Sequence, residues 1–319
     1  MTLSTPVAFI VFNRPDLTQI VFDAIRQAQP KQLLVIADGA RFPEEIEKCQ
    51  QSRDIVKQVD WECEVLTNFS DTNMGCKLRV SSGLNWVFSQ VEEAIILEDD
   101  CLPSPSFFSF CQTLLEKYRY DERIMNISGD NFQLGQIRSQ YSYHFSRYTH
   151  IWGWATWRRA WQHYDVDMRL WVDFKSSSLF KAMFDTNYEW LYWSNIFNST
   201  YIGEIDTWDY QWYFCCWIQS ALSIEPSVNL VSNLGFRWDA THVKEENPLA
   251  KLPRFNILSI VHPPMVTRNN AADNHTFEFR YNGRQIKLDY SSFGQIKRKY
   301  LNIRHLTKKS ILRMLKIND

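Results

Sequence analysis

Short apolar runs alternate with helical stretches through the first 130 residues, and this alternation constrains the fold more than any other feature. Pro6 to Phe12 reads as a buried strand and Asp16 to Gln27 as a helix. Gln32 to Ala37 is a second strand, closed by Asp38-Gly39, and Pro43 to Val59 is helical in pattern. Cys63 to Thr67 is a third strand, and Leu78 to Val91 a helix after the Asn73-Met74-Gly75 turn. Then come the apolar run Ala94-Ile95-Ile96-Leu97, a helix over Phe107 to Tyr118 and a strand over Ile124 to Ser128. Continuous apolar strands separated by helices predict βαβ units and a mostly parallel sheet covered on both faces.

The fourth strand runs straight into Glu98-Asp99-Asp100, with Pro103 and Pro105 beyond. Ligands of open α/β sheets bind just outside the carboxyl ends of the strands. Three adjacent acids in such a place repel one another unless a positive charge sits among them. A hard cation with oxygen ligands, Mg²⁺ or Mn²⁺, is the economical answer, and it leaves positions for substrate phosphates. A solvated acidic turn is the plainer reading of the same three residues.

Beyond about Asp130 the pattern changes. Of the 13 Trp, ten lie between Trp152 and Trp217. That stretch shows no clear strand alternation, so helices and long loops are expected. Trp is a core residue first, although such density also suits stacking on sugar rings. The net charge of −1 gives no field that favours nucleic acid. Seven Cys without a C-x-x-C pair argue for reduced thiols rather than disulfides or structural zinc. The N-terminus has no basic n-region, and its apolar run is too short for a signal or a span, so a cytoplasmic location is expected. Residues 297 to 316 carry eight Lys or Arg and no acid, with Ile303, Leu306 and Leu315 near helical spacing. Such a tail lies on an anionic membrane surface or docks on the body.

In these motifs and their order the chain resembles GT-A-fold, nucleotide-sugar-dependent glycosyltransferases, and it is most similar to the inverting N-acetylglucosaminyltransferase I type. The motifs are Phe9 to Arg14, Ile36 to Gly39, Ala94 to Asp100 with Pro103 and Phe107-Phe108, Trp152-Gly153-Trp154 with Trp161, and Trp208-Asp209 with Trp212. The resemblance implies a Rossmann-like, mixed and mostly parallel sheet flanked by helices, with a C-terminal helical extension. Its catalytic domain would span 1–264, as a nucleotide-binding half 1–130 and an acceptor half 131–264. The extension and basic tail would occupy 265–319.

The resemblance also implies roles. Asp100 would bind Mn²⁺ or Mg²⁺, and Glu98 and Asp99 would hold its waters, the ribose or the donor sugar. Asp38 would accept the imino proton of uracil, which favours a UDP-sugar, with dTDP open. Asn13 and Arg14 would meet the nucleotide. Arg79 stands where the family has a His. Asp209 would be the general base, in an aromatic setting expected to raise its pKa, with Glu204 and Asp206 as substitutes. Trp152, Trp154, Glu204 and Trp208 would line the acceptor side, and Asp130 would touch the donor sugar. His242 would be a late metal ligand. The partners would be a nucleotide-sugar donor, a glycan or lipid-linked acceptor and a membrane surface, with no nucleic acid. The same residues also have plain readings: Asp38-Gly39 and Asp130-Asn131 as turns, Arg14-Pro15-Asp16 as a helix start, Arg79 as a solvated helix residue, Asp209 as a capping or salt-bridged acid and His242 as structural. A sugar-nucleotide nucleotidyltransferase normally has a Gly-rich loop after its first strand, and Asn13-Arg14-Pro15-Asp16 has no glycine. A non-enzymatic carbohydrate-binding or membrane-active protein is the third possibility.

Overall fold

The computed structural model describes residues 3–236, 249 and 252–290. His242 and the basic stretch 297–316 lie outside the described residues. Ten strands are present among them. They are β1 (Val7–Val11), β2 (Gln32–Ala37), β3 (Glu64–Phe69), β4 (Glu93–Glu98), β5 (Cys101–Pro103), β6 (Ile124–Ser128), β7 (Tyr143–Ser146), β8 (Trp154–Trp157), β9 (Leu222–Pro226) and β10 (Val231–Asn233). Eight form one mixed sheet in the order β3-β2-β1-β4-β8-β6-β9-β7, and β5 pairs with β10 in a separate ribbon.

Strands β1 to β4 are parallel neighbours, with Val7 to Val11 opposite Leu33 to Ala37 and Ile10 opposite Glu98. Strand β8 runs antiparallel to both β4 and β6, β9 is parallel to β6, and β7 is antiparallel to β9. Six of the eight strands therefore point the same way. Chain order reverses at β1, which has β2 on one side and β4 on the other. A crevice at such a switch point is where open α/β sheets bind ligands.

Two apolar layers cover the sheet. One includes Phe9, Val35, Ile95, Leu97 and the inner face of the helix Pro105–Lys117, with Phe107, Phe110, Cys111 and Leu114 buried. The other includes Ala8, Ile10, Ile36 and Ile96 under the helix Gly75–Gln90, with Leu84 and Val87 inward. Apolar residues on both faces explain why β1, β2 and β4 read as unbroken apolar runs rather than alternating ones.

The second layer continues into the Trp-rich region. Trp154, Trp161, Trp208 and Trp212 pack together, the ring centroids of Trp154 and Trp208 lying 5.7 Å apart. Trp193, Phe197 and Trp217 from the helices Asn187–Tyr201 and Asp209–Ile218 extend the cluster. This stretch was expected to hold helices and loops without clear strands. It does contain helices, but Trp154–Trp157 is a strand near the middle of the sheet. Its WATW sequence is buried on both faces and carries no alternation to read.

The residues expected to begin a C-terminal extension are sewn into the body. Arg268 bridges to Phe145, and in the helix Asn270–Arg280 the Asp273 carboxylate accepts from the Ser146 hydroxyl at 2.5 Å. The Gln133 amide donates to the Thr276 hydroxyl at 2.9 Å. All seven cysteines are free thiols. Among the described residues, no helix is long and apolar enough to cross a membrane.

Candidate active site at the carboxyl edge of the sheet

Crossing the carboxyl edge from β2 to β6, the chain places Asp38, Arg14, Glu98-Asp99-Asp100, Trp152-Gly153 and Asp130 in succession. Each follows the carboxyl end of its strand, except Trp152-Gly153, which precedes the antiparallel β8.

A positive side chain, Arg14, does sit among the three acids. Its Nη1 donates to Asp100 Oδ2 at 2.9 Å and lies 4.0 Å from Asp99 Oδ1. Asp99 Oδ2 accepts the Phe12 backbone N–H at 3.0 Å, tying the end of β1 to the end of β4. Among the described residues this single positive charge pairs with two of the three acids. Burial, followed by the charge of Asp100, pushes the Asp99 carboxyl up to about 7. Glu98 is held well above the usual carboxylate range, first by burial and then by the charges of Asp100, Asp99 and Asp209.

Asp209 therefore lies within electrostatic reach of Glu98, although it is 109 positions along the chain from Asp100. It opens the helix Asp209–Ile218, whose Trp212 indole N–H donates to Asn126 on β6 at 3.2 Å and so fixes the helix over the sheet. The Thr207 hydroxyl and the Tyr210 N–H both donate to Asp209 Oδ1. The pocket around Asp209 is thus polar as well as aromatic. Glu204 is exposed and bonded to Ser199 at 2.7 Å, and Asp206 is exposed above Gly75.

Several anticipated contacts are engaged elsewhere. Asp38 accepts from the backbone N–H groups of Gly39, Met74 and Gly75 and from the Asn73 amide, at 2.9 to 3.1 Å. It acts as the anion at the start of the helix Gly75–Gln90, a favourable place for a carboxylate. Arg79 is buried, not solvated. Its guanidinium bonds Asn68 and the Ala37 carbonyl and so clamps the ends of β2 and β3. Asn13 donates to Glu45 at 2.9 Å. Trp154 and Trp208 are 0 % and 2 % exposed in the aromatic core, where no acceptor sugar can stack on them. Trp152 is half-buried and remains at the edge, its ring 5.4 Å from that of Phe236.

Asp100 offers the best case for a metal. Among the described residues no three His, Cys, Asp or Glu side chains enclose an ion. Mg²⁺ and Mn²⁺, however, commonly take one or two carboxylates and complete their shell with water and substrate phosphate. Asp100 Oδ2 is paired with Arg14, while among the described residues Oδ1 receives only the weak Cys101 thiol at 3.4 Å. Gly235 keeps the space over this carboxylate clear, because a Cβ there would lie 2.1 Å from Oδ2. The donor set fits a hard cation held by Asp100 alone.

Some of the site was not foreseen. Glu225 on β9 is fully buried, with His144 Nε2 at 3.3 Å and His150 Nε2 at 3.2 Å, and these histidines pull its carboxyl well below the ordinary range against the effect of burial. Asp130, 1 % exposed beside this group, has no hydrogen-bond partner for Oδ1. Its carboxyl is pushed up to about 7 by burial, with His150 and Arg280 opposing and Glu225 adding to the rise. Nothing in the local sequence separates Glu225 from a surface acid, since its partners come from a strand and a loop some 75 residues away.

A pH prediction follows. The folded pKa of Asp130 lies above the unfolded value of about 3.9, so the folded state takes up its proton earlier as pH falls. Stability of the native protein relative to Asp130→Asn should be at its full value at and below about pH 4. It should decline as pH rises to about 7 and be flat above that. The total difference is on the order of 3–4 kcal/mol. Chemical denaturation of both proteins across this range measures it, and a constant difference would place no titration at Asp130.

No family model matches the chain, and no curated protein matches it. Among solved structures it is similar to a UDP-glucose pyrophosphorylase complexed with UDP-glucose, at 12% identity and a TM-score of 0.27, over 45% of this chain. The chain spans 62% of that enzyme's length. A 4-diphosphocytidyl-2C-methyl-D-erythritol synthase from Anaerococcus prevotii DSM 20548 matches at 10% identity and a TM-score of 0.30, over 57% of this chain and 80% of the other. Likeness at this level says nothing of activity.

Proposed function

We propose that the protein is a GT-A-type glycosyltransferase that moves a sugar from a nucleotide diphosphate donor, UDP-linked by preference, to a glycan or lipid-linked acceptor. One observation supports this reading above the others: Asp209, from the Trp-rich half, lies within electrostatic reach of Glu98, two residues before the Asp100 that pairs with Arg14 at the switch point of the sheet. Such a cleft holds an anionic leaving group on one side and a proton acceptor on the other.

Arg14 binds the diphosphate and holds it against β1. Asp209 takes the proton of an acceptor hydroxyl through Oδ2, while Thr207 and Tyr210 fix its other oxygen. The acceptor oxygen forms a bond to the anomeric carbon as the bond to the diphosphate breaks, which inverts that carbon. A divalent cation on Asp100 would supply Lewis-acid stabilisation of the leaving diphosphate. The helix Pro15–Ala28 starts two residues after Asn13, so no loop of glycine N–H groups follows β1. This disfavours the nucleotidyltransferase reading.

The test is a thermal-shift screen of UDP- and dTDP-sugars with and without Mn²⁺. A ligand at one hundred times its Kd stabilises the native state by about 2.7 kcal/mol. A rise in Tm with a nucleotide sugar, larger with Mn²⁺, is expected. No shift with any nucleotide sugar would reject the reading.

A further inference from the structure

Arg280 ends the helix Asn270–Arg280, and its guanidinium lies among aromatic rings at 4.8 Å from the Trp152 centroid, 5.0 Å from Phe132 and 5.6 Å from Tyr281. Burial works against its charge, but Tyr281, Tyr213, Tyr210 and Asp130 outweigh it and hold the guanidinium charged. Among the described residues no carboxylate is within ion-pair distance of it, and its buried Nε has no acceptor. The helix C-terminus and the ring faces favour a cation there. Neither gives its N–H groups an in-plane acceptor, and buried donors left unmatched are costly. Asp130 is near enough for the charges of the two residues to act on one another, and its Oδ1 has no partner among the described residues. A carboxyl oxygen and a guanidinium Nε, each without a partner among the described residues, lie near the half-buried Trp152.

We propose that Arg280, Asp130 and Trp152 form an acceptor subsite for an acidic sugar. Arg280 takes its carboxylate or phosphate and Trp152 covers the ring, while Asp130 stays buried within electrostatic reach of the guanidinium. Position separates this subsite from the donor's diphosphate. Arg14 and Asp100 lie at the ends of β1 and β4, whereas Asp130 follows β6, two strands further along the edge, or about 10 Å. A planar fork that binds two oxygens at once suits carboxylate and phosphate alike. The word acceptor rests on the transferase reading; the oxyanion subsite itself does not.

Saturation-transfer NMR on the full chain, with D-glucuronate, D-glucose 6-phosphate, D-glucose and UDP as probes, tests this directly. At least one acidic sugar should bind about tenfold more tightly than glucose. Which of the two prefers the site distinguishes carboxylate from phosphate. Arg280→Gln should remove that preference and leave UDP affinity unchanged, and Arg280→Lys should restore part of it. Acidic sugars binding no better than glucose to the native protein would overturn the subsite, whether or not any variant folds. So would an unchanged preference in Arg280→Gln. Loss of UDP affinity in Arg280→Gln would assign the guanidinium to the donor instead. Arg280-dependent binding of an acidic sugar without any UDP binding would leave the subsite standing and remove the transferase reading.

Discussion

Asp100→Asn is expected to lower sugar transfer by roughly three orders of magnitude, about 4 kcal/mol of barrier, at saturating donor. The amide has nearly the size of the carboxylate but cannot hold a hard cation as well, and it breaks the ion pair with Arg14 at 2.9 Å. Tm should move by only a few degrees, because the strand-to-strand tie below the site is made by Asp99 and the Phe12 N–H. Arg14→Gln separates the two consequences. It removes the ion pair but keeps the carboxylate, so its defect should fall mainly on donor affinity and leave Mn²⁺ dependence in place. Wild-type transfer by Asp100→Asn would refute the assignment of metal and leaving group to this edge.

Asp209→Asn should reduce turnover between about 10² and 10⁴-fold while donor affinity stays at the native level. The structure makes this a clean substitution. The side-chain oxygen of Asn can keep the Thr207 and Tyr210 donors that now bind Oδ1, so the amide nitrogen falls where Oδ2 stood. An NH₂ group there cannot receive a proton. Glu204→Gln serves as the control, since Glu204 is exposed and bonded to Ser199, and it should retain transfer. Should Glu204→Gln or Asp206→Asn lose activity while Asp209→Asn keeps it, the base belongs to that neighbour.

The first 130 residues were legible because their signals are local. Gln32–Ala37 and Ile124–Ser128 match their expected bounds, and the helix expected at Leu78 starts three residues earlier at Gly75. The helical stretch from Pro43 to Val59 was also readable, although it is a short 3₁₀ turn, a ten-residue α-helix and a second 3₁₀ turn. What the chain did not disclose are contacts between distant segments. Trp208 and Trp154 looked like sugar platforms because Trp is the residue that makes them, yet each is enclosed by other Trp rings. Asp38 and Arg79 are polar residues at strand ends, as ligand contacts also are. Only the coordinates show that one caps a helix and the other ties two strands. Arg280 gave no sign at all, because the aromatic rings around it come from positions 132, 152 and 281.

The antiparallel strand β8 sits between β4 and β6 and is hydrogen-bonded to both. It acts as a fixed spacer. The end of β4 carries Asp100 and the end of β6 carries Asp130, so their separation is set by two ladder spacings rather than by a hinge. Sheet ladders do not stretch, and Trp154 and Ala155, buried on opposite faces of β8, brace it from above and below. Relatives of this chain that use longer or shorter partners could therefore not adjust the gap by moving domains. They would have to change side-chain length at the rim, at positions such as Trp152 and Arg280, so divergence of specificity should be concentrated there while β8 stays constant.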